Sequence, residues 1–146
     1  MKRNDLDLGF LGELQFYKKY SSNLNWLSQY NKYSYFDFKW KNKYIELKTR
    51  RFNKKDIDSM GGHLIEKHKI EWLKKNKNNY DGLICYTYYD GTYYYKFNKN
   101  ESNKDIRIGI GGNFSRGDKP KTLCYINGDK LKLLNKNLTT PDICLL

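Results

Sequence analysis

The sequence predicts an α/β fold in which a mixed central β-sheet is flanked by helices. Two observations carry that prediction. The elements run helix, hairpin, helix, strand, strand along the chain. Residues 43–88 read as a strand–helix–strand unit, whose natural closure is a right-handed parallel crossover. At 146 residues the chain fits one domain, residues 1–146, with room for a real core. No repeat is visible and no linker divides it; Pro120 and Pro141 are its two prolines.

Residues 6–20 read as a helix because Leu6, Phe10, Leu14 and Tyr17 recur at helical spacing. Glu13 shares that face, which is expected to pack inward. Residues 34–40 and 43–50 alternate as two strands of a hairpin around Lys41-Asn42. Residues 62–76 read as a second helix, started after Gly61-Gly62 and ended in an Asn/Lys run. Gly82-Leu83-Ile84-Cys85-Tyr86 is a continuous apolar run, the pattern of a strand buried on both faces. Asp90-Gly91 is a turn signal, and Thr92 to Phe97 should pair back. Further on, 105–110 and 121–126 are expected as strands separated by a Gly-rich loop, and 128–134 as a short helix.

The chain has 28 Lys+Arg against 16 Asp+Glu, a formal net charge of +12. Such a charge attracts polyanions, although it could serve solubility alone. Nucleic acid is favoured because the basic residues alternate with aromatics, which are 16% of the chain and include 14 Tyr. Rings stack on unpaired bases and cations neutralise phosphates, while most of the rings should fill the core. The absence of Ala and Val, beside abundant Lys, Asn, Tyr and Ile, fits AT-rich coding. Cys85, Cys124 and Cys144 share no metal-type spacing and read as buried or free thiols of a reducing compartment. Neither a membrane-spanning apolar stretch nor a signal peptide is evident, so a cytoplasmic site, in a cell or an infected host, is expected.

The segment Tyr35 to Lys48 carries the chemistry. With Lys41-Asn42 as a two-residue loop, Trp40 faces Lys43 and Asp37 faces Glu46. Alternation puts Phe36, Phe38 and Trp40 on one face, with Asp37 on the other beside Glu46 and Lys48. Two carboxylates then stand roughly 5 Å apart at Cβ, an arrangement that destabilises a sheet unless a cation lies between them. Oxygen ligands with open positions suit Mg²⁺. Lys48 can reach the water or phosphate beside such a metal, and phosphodiester hydrolysis needs those parts. Ordinary surface charge, neutralised by Lys39 and Lys48, is the plainer alternative. Two features weigh against it. Glu13 is an acid on an inward helix face, where an unpaired charge is costly. The basic run Arg50, Arg51, Lys54 and Lys55 continues from the site as a phosphate track.

Gly12-Glu13, Asp37 and Glu46-Leu47-Lys48, in that order, resemble the PD-(D/E)xK nuclease superfamily. Phe36 stands where the motif's Pro would precede Asp37. The resemblance implies a restriction endonuclease-like fold and a Mg²⁺ ion, with Mn²⁺ as a substitute. It implies that Asp37 and Glu46 bind the metal, that the Leu47 carbonyl completes the ligand set, that Lys48 serves the attacking water and that Glu13 is an accessory acid. Glu46-Leu47-Lys48-Thr49-Arg50-Arg51, Met60-Gly61-Gly62, Lys69-Ile70 and Asp90-Gly91-Thr92-Tyr93-Tyr94 look like small phage and viral members of that superfamily. A Lys matching Lys69 recurs in that group. Here Lys69 falls on an apolar helix face, either as a second active-site cation or as a stem packed on the core with its charge reaching water.

Gly109-Ile110-Gly111-Gly112 lacks a following Gly-Lys-Ser/Thr and reads as a flexible loop, with Arg116 able to touch a phosphate. His63 and His68 match no zinc helix and are expected at the surface or a helix end. Ile143-Cys144-Leu145-Leu146 is expected to pack on the core or a partner. The sequence therefore points to a Mg²⁺-dependent endonuclease acting on DNA, with a homodimer as one way to cut two strands. A non-catalytic basic nucleic-acid-binding protein and an RNA-acting nuclease of the same fold are the rivals.

Overall fold

The computed structural model describes residues 2–20, 24–31, 34–97, 106–111 and 121–134. Its centre is the hairpin. β2 (Phe38–Trp40) pairs antiparallel with β3 (Lys43–Thr49) in the expected register, Trp40 with Lys43 and Phe38 with Ile45. The tight turn needs a left-handed residue, and Lys41 supplies it at φ 50°. β3 then pairs in parallel with β5 (Asp81–Tyr88), and β5 turns at Asp90-Gly91 into antiparallel β6 (Gly91–Phe97). β1 (Asn25–Trp26) and β9 (Lys132–Leu133) close the edges, giving a six-stranded mixed sheet in the order β1-β2-β3-β5-β6-β9. The expected mixed α/β architecture is thus present.

β5 is buried on both faces, as its apolar run predicts. Leu83 and Cys85 join Phe16, Tyr20, Phe38, Ile45 and Leu47 in the core under α1 (Lys2–Tyr20). Ile84, Tyr86 and Tyr88 join Ile65, Ile70, Leu73 and Ile126 in the core on the opposite face. Each fully buried side chain of this kind contributes about 1.5–3 kcal/mol. That second core is roofed by α4 (Lys67–Lys75) and by a separate antiparallel sheet, β4 (His63–Glu66), β8 (Lys121–Ile126) and β7 (Ile106–Gly111), in the order β4-β8-β7. Short helices α2 (Leu27–Tyr30) and α3 (Lys54–Ser59) link β1 to β2 and β3 to β4.

Several expectations are corrected. The helix over 62–76 is a strand followed by a helix. Gly61 and Gly62 hold φ of 104° and 119°, and His63–Glu66 then pairs with β8 rather than coiling. A partner about sixty residues away in sequence, invisible to local pattern, overrides the helical reading. The helix over 128–134 is a single 3-10 turn, Gly128–Lys130, followed by β9. Gly109 to Gly111 belong to β7 rather than to a loop. The first helix buries Gly12, Phe16 and Tyr20, whereas Phe10 is 51% exposed. Of the expected face, Leu14 and Tyr17 do pack half-buried against the core, while the fully buried stripe runs through residues beside them. Regular strand begins at Phe38, not residue 34, and Phe36 and Phe38 pack in opposite cores. The chain crosses between faces at Asp37. His63 is fully buried, its ring held between Tyr88 Oη at 2.6 Å and Asp58 at 2.5 Å, while His68 is exposed as expected. Cys85 and Cys124 are buried free thiols. Arg116, Gly112, Cys144 and the C-terminal Ile143-Cys144-Leu145-Leu146 lie outside the described residues. Among the described residues no helix is long and apolar enough to cross a membrane.

Candidate active site

The site forms where β2 stops and β3 runs on. β2 begins only at Phe38, so the edge of β3 beyond Ile45 has no β2 residue beside it. Asp37 fills the gap with its own groups. Its N–H donates to the Ile45 carbonyl at 3.0 Å, and its Oδ2 accepts the Leu47 N–H at 2.8 Å. A strand residue directs its N–H and C=O to the same side, so the Leu47 carbonyl faces the same gap as the Asp37 carboxylate. The expected direct pairing of Asp37 with Glu46 is not formed, since the ladder reaches only Phe38 and Ile45, but the Asp37 charge is close enough to act on Glu46.

Glu46 and Lys48 alternate with the apolar Ile45 and Leu47 and face the α4 side of the sheet. Glu46 and Lys48 are both buried. β4 and α4 bring two more charges onto them. Lys69 Nζ lies 2.7 Å from Glu46 Oε1 and 3.5 Å from Glu66 Oε2. Lys48 Nζ lies 2.7 Å from Glu66 Oε1 and 3.8 Å from Glu46 Oε1. The two ammonium groups and two carboxylates thus alternate around a small ring. Glu46 Oε2 is buried and has no hydrogen-bond partner. Of the two readings of Lys69, the ion pair with Glu46 favours a cation of the site over a stem that merely snorkels.

Glu13 reaches the site from α1. It accepts hydrogen bonds from Trp26 Nε1 at 3.0 Å and from the Ser28 hydroxyl. Its approach depends on Gly12, which is buried against β3. A methyl group there would overlap Thr49 Oγ1. The Gly12-Glu13 pair therefore has a packing role and an electrostatic one.

The electrostatics follow from this crowding. Burial, then the neighbouring Glu13 charge, raise the Asp37 pKa to about 6, against the Leu47 hydrogen bond that opposes the shift. Burial, then the Asp37 charge, raise Glu46 to about 7 despite Lys48 and Lys69. Glu66 goes the other way. Burial opposes its ionisation, but Lys48 and Lys69 hold it down to about 2. Lys69 is pushed up, since Glu46 and Glu66 outweigh its own burial. With every group ionised, the four carboxylates of Glu13, Asp37, Glu46 and Glu66 face two ammonium groups, leaving two negative charges.

This donor set can accommodate a divalent hard cation. Mg²⁺ is bound by one or two carboxylates and keeps several waters, so it needs no ready-made cage. Among the described residues no group of three or more His, Cys, Asp or Glu side chains forms such a cage. What is present is the pair Asp37 and Glu46, the orphaned Glu46 Oε2, the Leu47 carbonyl on the same gap and the residual double negative charge.

The expected phosphate track divides. Arg50, Arg51 and Lys55 are exposed. Lys54 is committed elsewhere, to Asp58 at 3.0 Å and over the Tyr93 ring at 5.5 Å. Glu66 is absent from the residues that the sequence singles out, because the surrounding segment reads as helix. The signal available was the Gly61-Gly62 break followed by His63-Leu64-Ile65-Glu66, in which Glu66 alternates with Ile65. No family model, no curated protein and no solved structure matches the chain.

Proposed function

We propose that this protein is a metal-dependent endonuclease of the PD-(D/E)xK kind, with a restriction endonuclease-like fold, acting on DNA. The observation that carries the reading is the pair Asp37 and Glu46. Half-buried Asp37 and buried Glu46 share one gap, their pKa values lifted to about 6 and about 7, with Glu46 Oε2 unpartnered and the Lys48 ammonium 3.8 Å from Glu46 Oε1. Pure structural packing has no use for such repulsion.

Asp37, Glu46 and the Leu47 carbonyl would hold the metal. When bound, Mg²⁺ lowers the pKa of a water and balances charge on a phosphoryl oxygen. The chain's own residues do the rest. Lys48 orients the attacking water and offsets charge that builds on the phosphate. Glu66 fixes the position of the Lys48 ammonium through the 2.7 Å ion pair. Lys69 opposes the protonation of Glu46 that burial and Asp37 favour. Glu13, anchored by Trp26, adds negative charge on the far side of Asp37 and biases the gap toward a cation. Arg50, Arg51 and Lys55 carry the phosphate backbone past the site.

One observation favours a second reading, a binding protein without catalysis. Lys69 already occupies Glu46 Oε1 at 2.7 Å, so the network can neutralise much of its own charge. Incubating the protein with supercoiled plasmid, branched DNA and RNA, in Mg²⁺, Mn²⁺ or EDTA, separates the readings. Metal-dependent strand cleavage supports the nuclease. Salt-sensitive binding without cleavage in either metal removes it and leaves the binding protein.

A further inference from the structure

Beyond Lys48 the surface changes character. Phe52 is 42% exposed and Tyr89 is 70% exposed. The two are tied together by backbone, since the Tyr89 N–H donates to the Phe52 carbonyl at 2.9 Å. The Arg50 N–H donates to the Thr87 carbonyl at 3.0 Å, the last bond of the β3–β5 ladder, so Phe52 and Tyr89 stand just past its end, in a bend and a turn. Arg50 and Arg51 are exposed beside them. Tyr89 also walls a groove of about 870 Å³ that reaches Lys19 at the end of α1 and Leu133 of β9.

Two exposed large rings tied together through the backbone at the end of a sheet offer a flat apolar surface to a partner. The neighbouring guanidinium groups and the +12 net charge select a partner that carries negative charge along its length. Paired bases in a duplex present their faces to each other and not to protein. Unpaired bases present a free face, beside phosphates whose charge exposed Arg50 and Arg51 can offset.

We propose that Phe52 and Tyr89, flanked by Arg50 and Arg51, form a stacking platform for unpaired nucleobases. The substrate class that fits is a nucleic acid with a single-stranded stretch next to the cleaved bond. This inference rests on the proposed nuclease site for the position of that bond. Four residues separate Lys48 from Phe52, at most about 14 Å of chain. That distance spans no more than about four stacked bases at a rise of ~3.4 Å. The bases on the platform are therefore those within a few nucleotides of the phosphate beside Lys48.

The test is binding in EDTA, measured by fluorescence anisotropy with oligothymidylate, oligouridylate and a duplex of equal length. The wild type binds the single strands more tightly than the duplex. Tyr89→Ala and Phe52→Ala each weaken single-strand binding by about five-fold or more, the loss expected for one stacked base, and leave duplex binding nearly unchanged. Tyr89→Trp, which keeps a ring, restores it. The oligothymidylate and oligouridylate arms show whether the sugar matters. Equal losses on duplex and single strands, or no loss at all, overturn the platform. So does a change in self-association of the Ala variants by sedimentation, which would assign the rings to a second copy of this chain. The same variants incubated with Mg²⁺ keep the two ideas apart. Unchanged binding with intact metal-dependent cleavage removes the platform and leaves the nuclease. Ring-dependent single-strand binding without any cleavage removes the nuclease and leaves the platform.

Discussion

Lys69 Nζ sits 2.7 Å from Glu46 Oε1, and this contact joins α4 to the strand that carries the acid. Truncating one partner of a buried ion pair costs about 3–5 kcal/mol, because the other charge is left uncompensated. Lys48 at 3.8 Å softens the loss here. Lys69→Met is expected to lower unfolding free energy by about 3 kcal/mol at pH 8. The loss shrinks at pH 5, where the Glu46 carboxyl takes a proton. Urea denaturation at the two pH values reads the difference, and an equal loss at both would assign Lys69 to packing alone.

The two raised carboxyls give the metal-free protein a distinctive pH dependence. An acid whose folded pKa exceeds its unfolded value binds its proton more tightly in the fold, so stability falls as pH rises through that window. For Asp37 the window runs from 3.8 to about 6, and for Glu46 from 4.5 to about 7. Glu66, lowered to about 2, adds stability between about 2 and 4.5 and keeps it above. Buried His63 has its pKa lowered by desolvation, so its share of stability is lost on acidification below 6.5 and partly opposes the carboxyls. A divalent ion binds the ionised acids, so stabilisation by Mg²⁺ should grow from pH 5 to pH 8. Asp37→Asn should raise the metal-free melting temperature at pH 8 and abolish the Mg²⁺ shift. Differential scanning calorimetry with and without Mg²⁺ checks both, and a Mg²⁺ shift that survives Asp37→Asn would move the metal elsewhere.

In the proposed nuclease, Glu66 positions Lys48 through their 2.7 Å ion pair rather than touching substrate. Partners that orient active-site groups typically matter by about 10–100-fold. Glu66→Gln should therefore lower kcat by about 10–100-fold with KM little changed. Lys48 loses its charged 2.7 Å partner while the hydrogen-bond acceptor remains. A raised KM with unchanged kcat would make Glu66 a binding residue instead.

Gly12 sets how closely Glu13 approaches. Gly12→Ala should cost about 1–3 kcal/mol, as overpacking in a core does, because the new methyl meets Thr49. It should also weaken cleavage, since α1 lifts and carries Glu13 away. Thr49→Ala in the same chain clears the space, and recovery of both stability and cleavage in the double variant is the expected result. Recovery of stability without cleavage would detach Glu13 from function.

The hairpin was legible because it is local. The Lys41-Asn42 turn fixes a register that puts Asp37 across from Glu46, and the structure keeps that register through Phe38. β5 and β6 were legible for the same reason, with an apolar run and an Asp90-Gly91 turn between them. What was hidden depends on distant pairing. β4 exists because β8 lies beside it, and Glu66 enters the site only once residues 63–66 are a strand. The buried His63 follows from the same strand, since its ring needs Tyr88 and Asp58 from other elements. The inward face of α1 was legible in part, through Leu14 and Tyr17, and its fully buried stripe was missed because it contains Gly12, which hydrophobic spacing does not count.

The central claim is that Lys48, beside Asp37 and Glu46, serves phosphodiester cleavage that depends on a metal. Single-turnover cleavage of DNA in Mg²⁺ by the wild type and by Lys48→Met, with DNA affinity measured for both in EDTA, tests it most directly. The account predicts that cleavage falls by at least about 100-fold while affinity stays nearly constant. Equal cleavage by both proteins, or no Mg²⁺-dependent cleavage by the wild type on any DNA or RNA substrate, would contradict it.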